Sequence, residues 1–184
     1  MTETKNKNGA ARLIIVLFVI SAVVALLLGL TNYITKDKIE AIKADKTASA
    51  MQEVLPADEY RALTYTGDDS RVTELHEAVS GGVIGHVVRL TVPGSQDMID
   101  MLVGVDAEGC VTGVAIVDMS ETAGLGANAE KPEFRAQYVG RSGALAVTKD
   151  GGDIDALTGA TVTSRAVTNG VNAALAAVGT AAKG

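Results

Sequence analysis

The chain is 184 residues long, 47% hydrophobic but only 3% aromatic, with one Cys, no Trp and a formal net charge of −6. That length suits one domain with an appended element, and the apolar fraction excludes a charge-rich disordered chain. A single Cys excludes an internal disulfide framework, no Cys/His spacing resembles a zinc site, and the acidic balance excludes a phosphate-neutralising nucleic-acid surface.

The apolar residues are concentrated near the start. Leu13 to Leu30 reads LIIVLFVISAVVALLLGL without a charge, and the uncharged run continues to Thr35. A helix of roughly 20 residues, at about 1.5 Å per residue, crosses the hydrocarbon core of a bilayer. A cleaved signal peptide has an apolar core of typically about 7–15 residues followed by an A-x-A-like site. TNYITKDK follows here instead, so a retained anchor is expected. Lys5, Lys7 and Arg12 against Glu3 leave a charge of +2 before the span, whereas residues 36–184 carry −8. Positive flanks favour the cytoplasmic side. The chain therefore reads as a cytoplasmic basic tail (1–12), a transmembrane helix (13–35), a helical stalk and connection (36–70) and an exported domain (71–184). It is expected to be a single-pass protein of the cell (inner) membrane, with lipid around the span.

Beyond the membrane, Ile34 to Leu55 has helical spacing of apolar residues, and Pro56 ends it. From about Arg71 the pattern shifts to period two. Val83 to Val92, Met98 to Val105 and Cys110 to Val117 read as strands, the last two joined by Asp106-Ala107-Glu108-Gly109 in an antiparallel hairpin. A Gly-rich irregular segment spans Glu121 to Asn128. A short helix is expected over Pro132 to Tyr138, with Pro in its first turn, and a further strand over Leu145 to Thr148. Val167, Val171, Ala174, Leu175 and Val178 mark an amphipathic helix capped by Thr163 or Ser164. The fold class is α+β: an antiparallel sheet with flanking helices behind one membrane helix.

Chemistry concentrates just before that last helix. Thr158-Gly159-Ala160-Thr161 is a hydroxyl-rich glycine turn opening onto a helix N-terminus. Unpaired N–H groups and the helix dipole there favour a phosphate. It lacks the GxxxxGK[ST] pattern of a P-loop. From these residues alone, a phosphate-binding turn and an ordinary Thr/Ser cap both remain open.

Asp155-Ala156-Leu157-Thr158-Gly159-Ala160-Thr161 resembles the D-x-x-[ST]-G-A-T flavinylation motif of FMN-binding subunits in Rnf and Na⁺-pumping NADH:quinone oxidoreductase complexes. Glu121-Thr122-Ala123-Gly124-Leu125-Gly126 is similar to the E-T-P-G-L-G loop of that family, with Ala123 in place of Pro. The order of span, sheet, loop and motif matches, and the compact length is more like the G subunit of Rnf than its longer sodium-pump counterpart. The resemblance implies that residues 71–184 form an FMN-binding domain with FMN joined to Thr161 by a phosphoester. Thr158, Gly159, Ala160, Asp155, Leu157, Glu121, Thr122, Leu125 and Gly126 are the implied cofactor-binding residues, with Asp155 serving recognition by a flavin transferase.

By the same resemblance, the chain is an electron carrier within a complex coupling ferredoxin:NAD electron transfer to Na⁺ or H⁺ transport. Its implied partners are membrane and peripheral subunits carrying other flavins and Fe–S clusters. Two alternatives are the equivalent subunit of the quinone reductase and an anchored sensor or scaffold of the same fold. A one-electron relay needs no catalytic constellation, and none is expected; nor is a metal site. Cys110 reads as a small apolar strand residue, His76 and His86 as structural or solvated, and Asp153 as a turn residue. Only Tyr60, Tyr65, Phe134 and Tyr138 lie beyond the span region, so little aromatic surface is available to stack on a flavin.

Overall fold

The computed structural model describes residues 7–181; Glu3 and Lys5 of the basic tail lie outside them. The chain divides into two compact units, Met1–Asp45 and Lys46–Gly184. In the first, helix α1 (Lys7–Val54) carries an apolar stretch, Ala11–Lys36, long enough to cross a membrane. Leu13, Leu17, Phe18, Leu26 and Leu28 all stand exposed along it. Water penalises each such side chain by about 1.5–3 kcal/mol relative to burial, whereas lipid does not.

The second unit begins with the last turns of α1, which stop at Val54, two residues before Pro56. Five strands follow: β1 (Glu59–Leu63), β2 (Val72–Val79), β3 (Val83–Pro93), β4 (Met98–Asp106) and β5 (Val111–Asp118). They form one antiparallel meander in the order β1-β2-β3-β4-β5. The β4–β5 hairpin pairs Val105 with Val111. Its turn is closed by Asp106 Oδ1, which accepts from the N–H groups of Glu108 (3.1 Å) and Cys110 (2.7 Å). Gly109 supplies the left-handed residue, at φ +82°. Cys110 sits in this turn, half-buried, rather than inside a strand.

Both faces of the sheet are covered. Leu75, Val88, Leu90, Ile99, Met101 and Val103 face helix α3 (Thr161–Ala181), which buries Val167, Val171, Ala174 and Val178 against them. On the other face Ala78, Val87, Leu102, Ala115 and Val117 pack against Ala50, Met51, Val54 and Leu55. That double cover explains why β4 is apolar at successive positions instead of alternating.

Three local expectations change. Strand β1 falls where the sequence pattern predicts only a connection: it is an edge strand of sequence EYRAL, largely exposed, with no apolar alternation to betray it. Leu145 to Thr148 is not a strand; only Val147 forms a bridge, to Ile154, and a 3-10 turn at Thr148–Asp150 follows at once. Helix α3 starts at Thr161, so Thr163 and Ser164 lie inside its first turn rather than capping it. Their hydroxyls are used elsewhere. The expected short helix is present as α2 (Pro132–Arg135) continued by a 3-10 turn, Ala136–Tyr138.

Candidate functional site

Four segments converge on the N-terminus of α3. The motif turn leads into it, with Gly159 at φ +75° and the Ala160 N–H donating to Leu157 O (3.0 Å). A side chain at Gly159 would be strained in that region of φ/ψ space. Its Cβ would also lie 3.0 Å from Leu125 Cδ2, which shows how closely the second loop approaches. Ser164, fully buried, fixes the turn to the helix. Its Oγ donates to Ala160 O (2.9 Å) and accepts from the Leu157 N–H (2.9 Å).

The loop of Glu121 to Gly126 is held by its own acid. Glu121 Oε1 accepts from the N–H groups of Ser95 (2.6 Å) and Gln96 (3.1 Å), between β3 and β4. Glu121 Oε2 accepts from Thr163 Oγ1 in α3 at 2.8 Å. Gly126 is buried against this carboxylate: a Cβ there would meet Glu121 Oε2 and come within 2.8 Å of Thr163 Oγ1. Thr122 accepts from Gln96 Nε2 (2.6 Å) through its hydroxyl, and its carbonyl accepts from the Leu125 and Ala127 N–H groups. Leu125 remains 42% exposed, and Val162, in the first turn of α3, 54%. They leave apolar surface open beside Thr161, which is itself half-exposed.

The third contribution comes from the 3-10 turn Thr148–Asp150. Lys149 Nζ donates a 2.9 Å hydrogen bond to Thr161 Oγ1. The turn is tied to α3 by Asp150, whose two oxygens accept from Arg165 Nε (2.7 Å) and Nη2 (2.5 Å). The guanidinium hydrogen bonds hold the Asp150 carboxyl below the usual carboxylate range. On the motif side, Gln137 brackets Asp155: the Asp155 N–H donates to Gln137 Oε1 (2.7 Å) and Gln137 Nε2 donates to Asp155 O (3.3 Å). The Asp155 side chain points outward and is exposed, as is Thr158.

The structure thus gathers Glu121, Thr122, Leu125, Gly126, Leu157, Gly159, Ala160 and Thr161 around one helix start. Ala160 is buried in the turn, and Glu121 spends both oxygens on protein donors. Lys149, Thr163 and Ser164 are site residues that the sequence does not single out in these roles. No periodicity or motif marks Lys149; the Val147–Ile154 bridge is what returns it toward α3. His76, His86 and Cys110 make no hydrogen bond to the cluster, and among the described residues no group of His, Cys, Asp or Glu could hold a metal ion.

A phosphorylated flavin fits these residues. The first-turn N–H groups of a 21-residue helix and the Lys149 ammonium suit an anion next to the Thr161 hydroxyl. The exposed Leu125 and Val162 side chains suit the flat apolar body of an isoalloxazine. Aromatic stacking is not on offer from Phe134 and Tyr138, which are buried as an edge-to-face pair 5.7 Å apart.

Comparison with known proteins agrees with this geometry. The FMN-binding domain family matches residues 94–176, from the β3–β4 loop well into α3. The chain is 37% identical over 183 residues to the G subunit of the ion-translocating oxidoreductase complex of Methanosarcina acetivorans, covering 95% of this chain and 96% of that one. It is also 37% identical over 196 residues to the G subunit of the Na⁺-translocating ferredoxin:NAD⁺ oxidoreductase complex of Acetobacterium woodii, covering 92% and 94%. Among solved structures, the C subunit of the Na⁺-translocating NADH-quinone reductase of Parabacteroides distasonis has the same fold, with a TM-score of 0.53 at 19% identity over 72% of this chain and 80% of that one.

Proposed function

The chain belongs to the G-subunit family of ion-translocating oxidoreductase complexes, and from that premise we propose that it carries FMN on Thr161 as an electron relay between other subunits. It is a membrane-anchored subunit of a multi-subunit redox complex, and other subunits of the complex are its partners. The complex reaction is electron transfer between ferredoxin and NAD coupled to ion transport, as the names of its relatives indicate. In this reading, residues 1–12 are cytoplasmic, residues 13–35 span the membrane and residues 71–184 form the flavin domain on the extracytoplasmic side. The chain holds no complete active site of its own, because its role is to receive and pass on electrons.

The observation that carries the reading is the environment of Thr161 Oγ1. A Thr hydroxyl is a weak nucleophile, so attachment calls for a separate flavin transferase using FAD with Mg²⁺, and the hydroxyl has to be reachable. Thr161 is half-exposed at the first residue of α3. The charge of a phosphodiester there would sit at the positive end of the helix dipole. Bound FMN supplies reversible electron transfer. The chain's own residues position it: Gly159 keeps the turn low under Leu125, Glu121 fixes the loop, and Ser164 locks the motif to the helix. Glu121, Thr122 and Gly126 act by shaping this wall, and Asp155 and Thr158 offer exposed groups for the transferase to recognise.

The test is a denaturing gel of the full chain co-produced with a flavin transferase. Fluorescence that survives denaturation in the wild type and is lost in Thr161→Val supports the reading. A dark wild-type band, or a fluorescent T161V band, overturns it.

A further inference from the structure

We propose that Lys149 is a further residue of the flavin-attachment site: its ammonium supports the Thr161 hydroxyl during attachment and pairs with the resulting phosphodiester. This rests on Thr161 being the attachment point, and it adds a residue outside both sequence motifs. The Nζ lies 2.9 Å from Oγ1, the atom that would bond to phosphorus.

Three features single out this contact from ordinary surface hydrogen bonding. Residues 36–184 are strongly acidic, with 21 Asp/Glu against 13 Lys/Arg, yet Lys149 ion-pairs with no carboxylate among the described residues. The nearest cation along α3, Arg165, is occupied by both oxygens of Asp150. Arg141 likewise faces Asp153 (3.3 Å). Lys149 is therefore a cation held at the hydroxyl with its charge uncompensated by an anion among the described residues. Its backbone is anchored on both sides, by the Asp150–Arg165 clasp and by the Val147–Ile154 bridge. That anchoring keeps a flexible side chain within reach of one atom.

The chemistry follows from charge. In attachment, Thr161 Oγ1 forms a bond to the flavin-side phosphorus of FAD while the pyrophosphate P–O bond breaks and AMP leaves. The Thr161 proton passes to a base of the transferase, and no electrons change hands. Negative charge grows on Oγ1 as its proton departs, and an ammonium hydrogen-bonded there favours it. Afterwards the diester retains one negative charge on the non-bridging oxygens of the phosphorus bonded to Oγ1, within reach of the same four-carbon side chain.

The full chain, solubilised in detergent, is incubated with purified transferase, FAD and Mg²⁺, comparing wild type with Lys149→Met, Lys149→Arg and Thr161→Val. Lys149 is exposed, so thermal unfolding of each unloaded variant should match the wild type. Flavin incorporation in K149M should be about tenfold slower, the scale of one charge-assisted hydrogen bond. K149R should recover most of the rate, and the ³¹P resonance of loaded K149M should be displaced from that of the wild type. Incorporation by K149M at the wild-type rate overturns the proposal. So does equal slowing in K149M and K149R, and so does slow loading with an unchanged ³¹P resonance, which would place Lys149 against the transferase instead. Flavin on T161V would overturn the attachment reading itself, a result separate from any outcome at Lys149.

Discussion

Glu121 Oε2 accepts a 2.8 Å hydrogen bond from Thr163 Oγ1, joining the glycine-rich loop to the first turn of α3 across 42 residues of chain. The other carboxylate oxygen holds the β3–β4 loop through two backbone N–H groups. One acid therefore sets the spacing of three segments that surround Thr161. Glu121→Ala leaves two N–H groups and a hydroxyl without their acceptor, at a cost of about 1–3 kcal/mol. The urea midpoint of E121A should fall accordingly, and flavin incorporation should fall with it. Glu121→Gln retains one acceptor oxygen and should lie between. Wild-type stability in E121A would contradict this role.

Gly126 tests the same packing by addition. A methyl group there runs into the Glu121 carboxylate and approaches Thr163 Oγ1 to 2.8 Å. Overpacking of this kind costs about 1–3 kcal/mol. Gly126→Ala should lower the unfolding midpoint and reduce flavin loading, whereas Gly124→Ala, whose Cβ meets nothing, should be disturbed only by its positive φ. Equal loading of G126A and wild type would show that the loop is not held as described.

Tyr138 is fully buried, and its hydroxyl lies 2.9 Å from Thr168 Oγ1. Thr168 spends its own proton on Ser164 O (2.8 Å), so Tyr138 is the donor. Burial pushes the phenol up to about 12. Tyr138→Phe removes one neutral hydrogen bond and should lose about 1 kcal/mol in chemical denaturation. Flavin attachment should be unchanged, because the tyrosine sits under α3 rather than at its exposed start. A dark but folded Y138F protein would contradict the separation of core and site.

The Asp150–Arg165 clasp has a defined pH signature. Its folded carboxyl is depressed below the usual carboxylate range, so it contributes stability above its unfolded pKa. That contribution is lost as pH falls below about 4 and through the depressed folded value. The wild type should therefore lose more stability than Asp150→Asn across that acid window, the two converging at its lower end. Parallel curves for wild type and D150N would contradict a clasp present in solution.

What the sequence makes legible follows from periodicity and burial. β3, β4 and β5 are rich in β-branched residues covered on both faces, and Pro56 and Gly109 mark a helix end and a turn. The site is legible where two motifs carry it, through Thr161, Gly159, Leu125 and Glu121. The rest depends on tertiary contacts with no local pattern. β1 is an exposed edge strand paired only with β2. Thr163 and Ser164 look like helix caps, but their hydroxyls serve Glu121 and Ala160 instead. The apolar Leu145 to Thr148 run suggests a strand, yet the chain turns at Val147 and brings Lys149 to Thr161.

The most direct measurement is the location of the flavin in the chain. The full chain, loaded by the transferase, is digested and the flavin-bearing peptide sequenced by tandem mass spectrometry. The expected result is one FMN, less water, on the peptide spanning Asp155 to Ser164, with fragment masses placing it on Thr161 and not on Thr158, Thr163 or Ser164. FMN on any other residue, or released intact when the protein is denatured, would contradict attachment at Thr161.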